Sequence, residues 1–170
     1  HSKGSASALL NAGRGNPNWI AVRPREAFFL LGTFALAEAR TAIGFNAVAD
    51  QANALAVGAS SAAPGAYAVA VGSESVAEGF AATALGAAAE ASGDGSLAAG
   101  TLAVASGDES TALGAFAEAT GNLATATGAE SVASGNESSA IGAMSTASGH
   151  YATALGSRAE ASGFNSTSLG

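Results

Sequence analysis

The 170-residue chain has the length of one domain, but its 48% hydrophobic content is built largely from alanine and only 6% of it is aromatic. With 23 glycines and 11% charged residues, this composition excludes a broad globular core and disfavours an ordinary α/β enzyme. The net charge of −7, with Arg158 as the single basic residue after Arg40, disfavours nucleic acid as a partner, and the lack of cysteine excludes disulfides and thiolate sites.

The first 34 residues are less regular than the rest. Residues 1–9 include Ala-Ser-Ala-Leu and predict a partial first coil of the repeat described below, preceded by His1 as a frayed or vector-derived end. Residues 10–34 predict an irregular insertion, a hairpin in which Pro24, Arg25 and Glu26 separate two β-forming runs. No apolar run reaches the ~20 residues of a membrane span and no signal peptide is recognisable, so we expect a fragment with its targeting signal elsewhere.

Residues 35–170 contain an internal repeat. From Gly58 to Gly170 every seventh residue is glycine, seventeen times, and the positions two and four before each glycine (−2 and −4) are always alanine or serine. The −1 position alternates between apolar and polar residues from one heptad to the next, so the true unit is fourteen residues. Gln51 replaces the expected glycine and Arg40 stands at a normally small position, so we expect the first coils to be less regular.

This repeat predicts a β-solenoid rather than a coiled coil. A glycine in every heptad would cost a helix about 1 kcal/mol each, and small residues two apart share a face of a strand, not of a helix. Because seven is odd, the chain must turn once per heptad to keep that face inward. We predict an all-β, parallel solenoid of 14-residue coils with a thin Ala/Ser core. The predicted turn residues that supply positive φ are Gly58, Gly72, Gly86, Gly100, Gly114, Gly128, Gly142 and Gly156, helped by Asp or Asn after the intervening glycines.

The apolar −1 positions predict an oligomer interface. They form one row along the solenoid axis, and soluble monomers avoid such long exposed apolar ridges. Threonines at −3 of the same strands are expected to flank the row. Composition does not distinguish two chains from three. The predicted interface residues are Val57, Val71, Leu85, Leu113, Ile141, Leu155 and Leu169.

Three stretches of the repeat resemble a known family. Residues 53–61, 138–145 and 165–170, with Ala-Leu-Ala-Val-Gly, Ser-Ala-Ile-Gly and Ser-Thr-Ser-Leu-Gly, are similar to the head repeat of YadA-like trimeric autotransporter adhesins. The resemblance implies a left-handed β-roll and a homotrimer. It also implies display at the surface of a Gram-negative bacterium, through an outer-membrane anchor absent from this fragment. The implied function is binding of host extracellular matrix or a cell-surface receptor.

No catalytic, cofactor or metal site is predicted. His150 has no nucleophile pattern around it, and Asp108 with Glu109 offers too few oxygens for calcium. The alternatives are an ice- or crystal-binding solenoid, suggested by the threonine row, and a solenoid enzyme, for which no cluster of reactive side chains is found. The ligand-binding residues stay unknown. The large side chains near turns, either ligand contacts or packing between chains, are Tyr67, Phe80, Phe116, Met144, Tyr151 and Phe164.

Overall fold

The computed structural model describes residues 39–170. The partial coil predicted for residues 1–9, the insertion predicted for 10–34 and the first four residues of the predicted repeat lie outside the described residues. Within the described part, every regular element is a β-strand, and the strands form two parallel sheets, which we call sheet A and sheet B.

Sheet A has ten strands, nine of them followed by a strand of sheet B. Its strands are β1 (Thr41–Ile43), β3 (Leu55–Val57), β5 (Val69–Val71), β7 (Thr83–Leu85), β9 (Leu97–Ala99), β11 (Thr111–Leu113), β13 (Thr125–Thr127), β15 (Ser139–Ile141), β17 (Thr153–Leu155) and β19 (Thr167–Leu169). Sheet B contains the two-residue strands β2 (Val48–Ala49), β4 (Ala62–Ala63), β6 (Val76–Ala77), β8 (Glu90–Ala91), β10 (Val104–Ala105), β12 (Glu118–Ala119), β14 (Val132–Ala133), β16 (Thr146–Ala147) and β18 (Glu160–Ala161).

Each strand pairs in parallel with the strand one coil further along the chain. In β11 and β13, for example, Thr111 lies beside Thr125 and Ala112 beside Ala126, an offset of fourteen residues. The same offset holds along sheet A, from the pairing of β1 with β3 to the pairing of β17 with β19. The predicted parallel solenoid of 14-residue coils is therefore confirmed. The coil that contains Gln51 was expected to be less regular, but its strand β2 pairs with β4 in the same register.

The interior is filled by alanine and serine alone. Side chains at −2 and −4 point between the two sheets, and those of Ala56, Ala84 and Ala126 are completely buried. The largest fully buried side chains are serines such as Ser75 and Ser131. Because strand residues alternate between faces, the larger side chains at −1 and −3 are left on the outer surface.

Two kinds of turn connect the sheets. Turn I leads from sheet A to sheet B nine times. It begins at Gly44 and at the eight glycines predicted for the turns, and all nine have φ between 119° and 147°. Turn II leads from sheet B to sheet A, and its glycines, Gly65 to Gly163, have no such positive φ. In both turns the residue two places after the glycine is left-handed, with Ser60 at 57° and Tyr67 at 60°. Asp94 and Asn122, directly after glycine, therefore do not supply the left-handed corner that the sequence predicted.

Close approach between coils explains why both kinds of turn need glycine. A methyl group on Gly121 would lie 2.6 Å from the carbonyl carbon of Gly135 and 3.0 Å from the backbone nitrogen of Asn136. Both distances are shorter than van der Waals contact, and both atoms belong to backbone that is held in the ladder. From Gly65 to Gly149 the turn II glycines are thus required by space and not by φ.

Candidate functional site

The predicted interface residues form one column on the outer face of sheet A. Each is the last residue of its strand. In the parallel register Val71, for example, lies between Val57 of the preceding coil and Leu85 of the next. Five of the seven, Val71, Leu85, Leu113, Ile141 and Leu155, are 36–46% exposed. Val57 is half-buried, and Leu169 in the last strand is the most exposed of the set. We call this row, from Ile43 to Leu169, the apolar column.

Three members of the apolar column were not predicted as interface residues. Ile43 extends it to the first coil and is exposed. Ala99 and Thr127 interrupt it with a small and a polar side chain, and both are half-buried. The −1 spacing alone identifies all three positions, so the sequence signal was present but was read only for the larger apolar residues.

A second column runs beside the first at the −3 positions of sheet A. It contains the predicted threonines Thr83, Thr111, Thr125, Thr153 and Thr167. Leu55, Val69 and Leu97 interrupt it, and Ser139 occupies one more position. Lattice recognition by an ice- or crystal-binding solenoid needs a continuous hydroxyl array, so this mixed column does not favour that alternative.

Charge divides the two faces of the solenoid. No charged residue stands at an outward position of sheet A between Thr41 and Leu169. Sheet B, in contrast, has three exposed carboxylates on its outer face, those of Glu90, Glu118 and Glu160. Burying a carboxylate without a partner is costly, so sheet A is the face suited to burial and sheet B the face suited to water.

The buried serines at −4 fall into two groups that share the same place in the heptad. Ser131 follows turn I, and its Oγ donates a hydrogen bond of 2.8 Å to the carbonyl oxygen of Gly128. Ser61, Ser75 and Ser145 each donate in the same way to the carbonyl oxygen of the glycine three residues before them. Four serines that follow turn II instead, Ser96, Ser110, Ser138 and Ser166, have a buried Oγ without a hydrogen-bond partner in the described part of the chain.

The large side chains near the turns are solvent-exposed, as Tyr67, Phe80, Phe116 and Met144 illustrate. Tyr151 and Phe164 pack with His150, a contact that was not predicted from the sequence. A histidine directly after a turn II glycine, followed by tyrosine, was the available signal for this aromatic cluster.

Reactive chemistry finds little support in residues 39–170. No group of three or more His, Cys, Asp or Glu side chains in that range is arranged to hold a metal ion. Nor does that range contain a helix with the length and hydrophobicity of a membrane span.

Two known proteins share part of this sequence. A crystal structure of the collagen-binding domain of the Yersinia adhesin YadA is 35% identical, with 69% of this chain and 57% of that chain covered and a TM-score of 0.49. A bifunctional aspartate aminotransferase and L-aspartate β-decarboxylase from a Pseudomonas species is 52% identical over 48 residues, which are 28% of this chain and 9% of the enzyme. The chain thus spans only part of either protein.

A sequence family matches most of the repeat. The family, described as YadA head domain repeat (2 copies), matches eight overlapping segments that run without a gap from residue 41 to residue 159. Successive matches, such as 77–103 and 91–117, are shifted by one 14-residue coil. The matched region is well over half of the chain and coincides with the two-sheet solenoid, so the chain belongs to the YadA head domain repeat family.

Proposed function

We propose that this chain is the head segment of a bacterial surface adhesin, which assembles as a homotrimer through sheet A and binds host extracellular matrix. Membership of the YadA head repeat family supports the adhesin role and makes the chain a non-enzymatic module. Left-handed winding of the coils and display through an outer-membrane anchor outside this chain are parts of the same proposal. Adhesion then results from many weak contacts made together by a rigid rod.

The observation that best supports assembly of the chain is the uncharged, largely apolar outer face of sheet A. Ten strands at a spacing of about 4.8 Å and three residues wide give this face roughly 430 Å². The largest patch on an ordinary monomer is about 300–600 Å² and is often functional, so a face of this size is a candidate interaction site. Closed cyclic symmetry would bury every copy of the apolar column around one axis and would leave the carboxylates of sheet B in water.

The proposed ligand class is extracellular matrix protein. The Yersinia relative is described as collagen-binding, and collagen is accordingly the first matrix protein to test with this chain. Three chains in one head present each binding surface three times. Linked binding of this kind raises the apparent affinity by about 10²–10⁴-fold over one site.

The assembly is tested by the molar mass in solution, measured by light scattering. The wild-type chain should have three times the protomer mass of 16.0 kDa. Leu85→Glu, which places a carboxylate in the apolar column, should give the protomer mass. The matched control is Ala62→Glu on the outer face of sheet B, where Glu90 stands at the same position two coils further along, and it should stay trimeric. A monomeric wild type, or a trimeric Leu85→Glu, contradicts the assembly.

Binding is tested on surfaces coated with collagen, fibronectin or laminin, with albumin as the negative surface. The trimer should bind at least one matrix protein, and the Leu85→Glu monomer should bind it about 100-fold or more weakly because multivalency is lost. Ala62→Glu should bind like wild type. Absence of binding to all three proteins contradicts the proposed ligand class, and equal binding by the monomer contradicts the multivalent mechanism.

A further inference from the structure

Aromatic side chains gather at two places on one edge of the solenoid. This edge, which we call the turn II edge, consists of the two residues after each turn II glycine, that is, after every fourteenth residue from Gly65 to Gly163. Tyr67 and Phe80 lie toward its N-terminal end, and His150, Tyr151 and Phe164 lie toward its C-terminal end. The four residues Tyr67, Phe80, Tyr151 and Phe164 are 43–75% exposed, so both groups face solvent in the protomer.

Each group is an ordered aromatic cluster. The rings of Tyr67 and Phe80 meet edge to face, with centroids 5.5 Å apart. His150 stacks on Tyr151 with ring centroids 4.3 Å apart. The ring of Phe164 forms T-shaped contacts with both, at centroid distances of 5.9 Å from His150 and 5.7 Å from Tyr151. Rings already held by one another lose little conformational entropy when a ligand binds, which favours them as contact residues.

A chain of hydrogen bonds connects the two clusters. The backbone nitrogen of Phe80 donates to Oδ1 of Asp94 at 2.8 Å, and that of Asp94 donates to Oδ1 of Asp108 at 3.1 Å. Oδ1 of Asn122 and of Asn136 continue the series, at 3.3 and 3.2 Å from the preceding donor nitrogen. His150 closes it, because its Nδ1 donates to the carbonyl oxygen of Asn136 at 2.9 Å. The distance between the clusters is therefore fixed.

The surface between the clusters is acidic. Asp94, Asp108, Glu109 and Glu137 lie on the turn II edge, and none of its described positions from 66 to 165 holds lysine or arginine. Phe80 and His150 are five coils apart, which is about 24 Å at the usual strand spacing. A polyproline II segment covers that distance with about eight residues at 3.1 Å each.

We propose that the turn II edge binds an extended polypeptide with proline-rich ends and lysine or arginine between them. The prolines would pack on the two aromatic clusters, as they do in aromatic-lined grooves, and the cations would lie along the acidic series. This inference rests on the proposed function, since it assigns the surface with which the adhesin would hold a matrix protein.

The test uses the trimeric head and a fluorescent nine-residue peptide of three prolines, Lys-Arg-Lys and three prolines. A peptide with three glutamates in the centre is the charge control, and cellohexaose is the carbohydrate probe. The variant Tyr67→Ser/Tyr151→Ser removes one ring from each cluster. The matched control is Phe116→Ser, since Phe116 is an exposed aromatic in the same left-handed turn conformation on the turn I edge, where Ser60 stands in another coil.

We expect the basic peptide to bind, the acidic peptide not to bind, and the double variant to bind at least about tenfold more weakly. Phe116→Ser should stay within about twofold of wild type, and affinity should fall as salt is added. Three results overturn the inference: wild-type affinity in the double variant, dissociation of its trimer, or binding of cellohexaose in place of the basic peptide.

The same proteins separate failure of this inference from failure of the proposed function. If Tyr67→Ser/Tyr151→Ser still binds matrix protein like wild type, the turn II edge is not the binding surface, although the adhesin role stands. If the wild-type trimer binds none of the matrix proteins, the proposed function fails whatever the peptide does.

Discussion

Replacing Ser110 by alanine should stabilise the protein, whereas replacing Ser131 by alanine should destabilise it. Both hydroxyls are buried in the same Ala/Ser core. Oγ of Ser131 donates to the carbonyl oxygen of Gly128 at 2.8 Å, but Oγ of Ser110 has no partner among the described residues. Alanine already occupies the equivalent positions Ala124 and Ala117 one coil away, so neither substitution creates a space that the fold does not accept.

The size of each effect follows from the hydrogen bonding. An unsatisfied buried hydroxyl costs about 1–3 kcal/mol, so Ser110→Ala should raise the free energy of unfolding by about 1 kcal/mol per protomer or more. Losing a satisfied hydrogen bond costs about 0.5–1.5 kcal/mol, so Ser131→Ala should lower it by about 1 kcal/mol. The two variants should thus differ by about 2 kcal/mol, which for a chain of this size is a difference in Tm of several degrees.

Thermal unfolding followed by circular dichroism at one protomer concentration measures this difference, since the stability of an oligomer depends on concentration. The reverse substitutions are the controls. Ala117→Ser should gain a hydrogen bond to the Gly114 carbonyl and change Tm little, whereas Ala124→Ser should lower Tm. Equal loss of stability in Ser110→Ala and Ser131→Ala would refute the assignment of the two serine groups.

Three more predictions concern the turns and the apolar column. Gly121→Ala should cost about 3 kcal/mol because its methyl group meets the next coil, whereas Gly95→Ala, with the nearest atom 3.7 Å away, should cost only about 1 kcal/mol in chemical denaturation. Asn122→Ala should cost about 0.5–1.5 kcal/mol by freeing the backbone nitrogen of Asp108, and Asn122→Asp, which keeps the acceptor, should cost less in the same assay. Thr127→Val should raise the dissociation temperature of the trimer by removing a hydroxyl from the apolar column. An unchanged or lower temperature would speak against burial of that position.

The periodic features of the fold could be predicted from the sequence. Glycine at every seventh place and alanine or serine at −2 and −4 define two strands and two turns per coil, and the structure has them from Thr41 to Leu169. The position of the apolar column follows from the same alternation. Its burial between chains stays a prediction, as do the partial coil at 1–9 and the insertion at 10–34.

Features that depend on contacts between coils could not be predicted. One heptad gives no indication that a methyl on Gly121 would meet Gly135, or that Oδ1 of Asn122 would accept a hydrogen bond from the coil before it. The two serine groups also occupy the same place in the heptad, four positions before a glycine, and only the fourteen-residue register separates them. They differ in which turn precedes them, and the turn decides whether a carbonyl oxygen is within reach.

The constant fourteen-residue offset also has a consequence for evolution. Each coil meets only its two neighbours, so duplication or deletion of a whole coil changes the reach of the molecule by about 4.8 Å and leaves its cross-section intact. An insertion of an odd number of residues within a strand would instead turn alanines outward and bulky residues inward. Genetic variation in such a protein should therefore change its length by whole 14-residue coils.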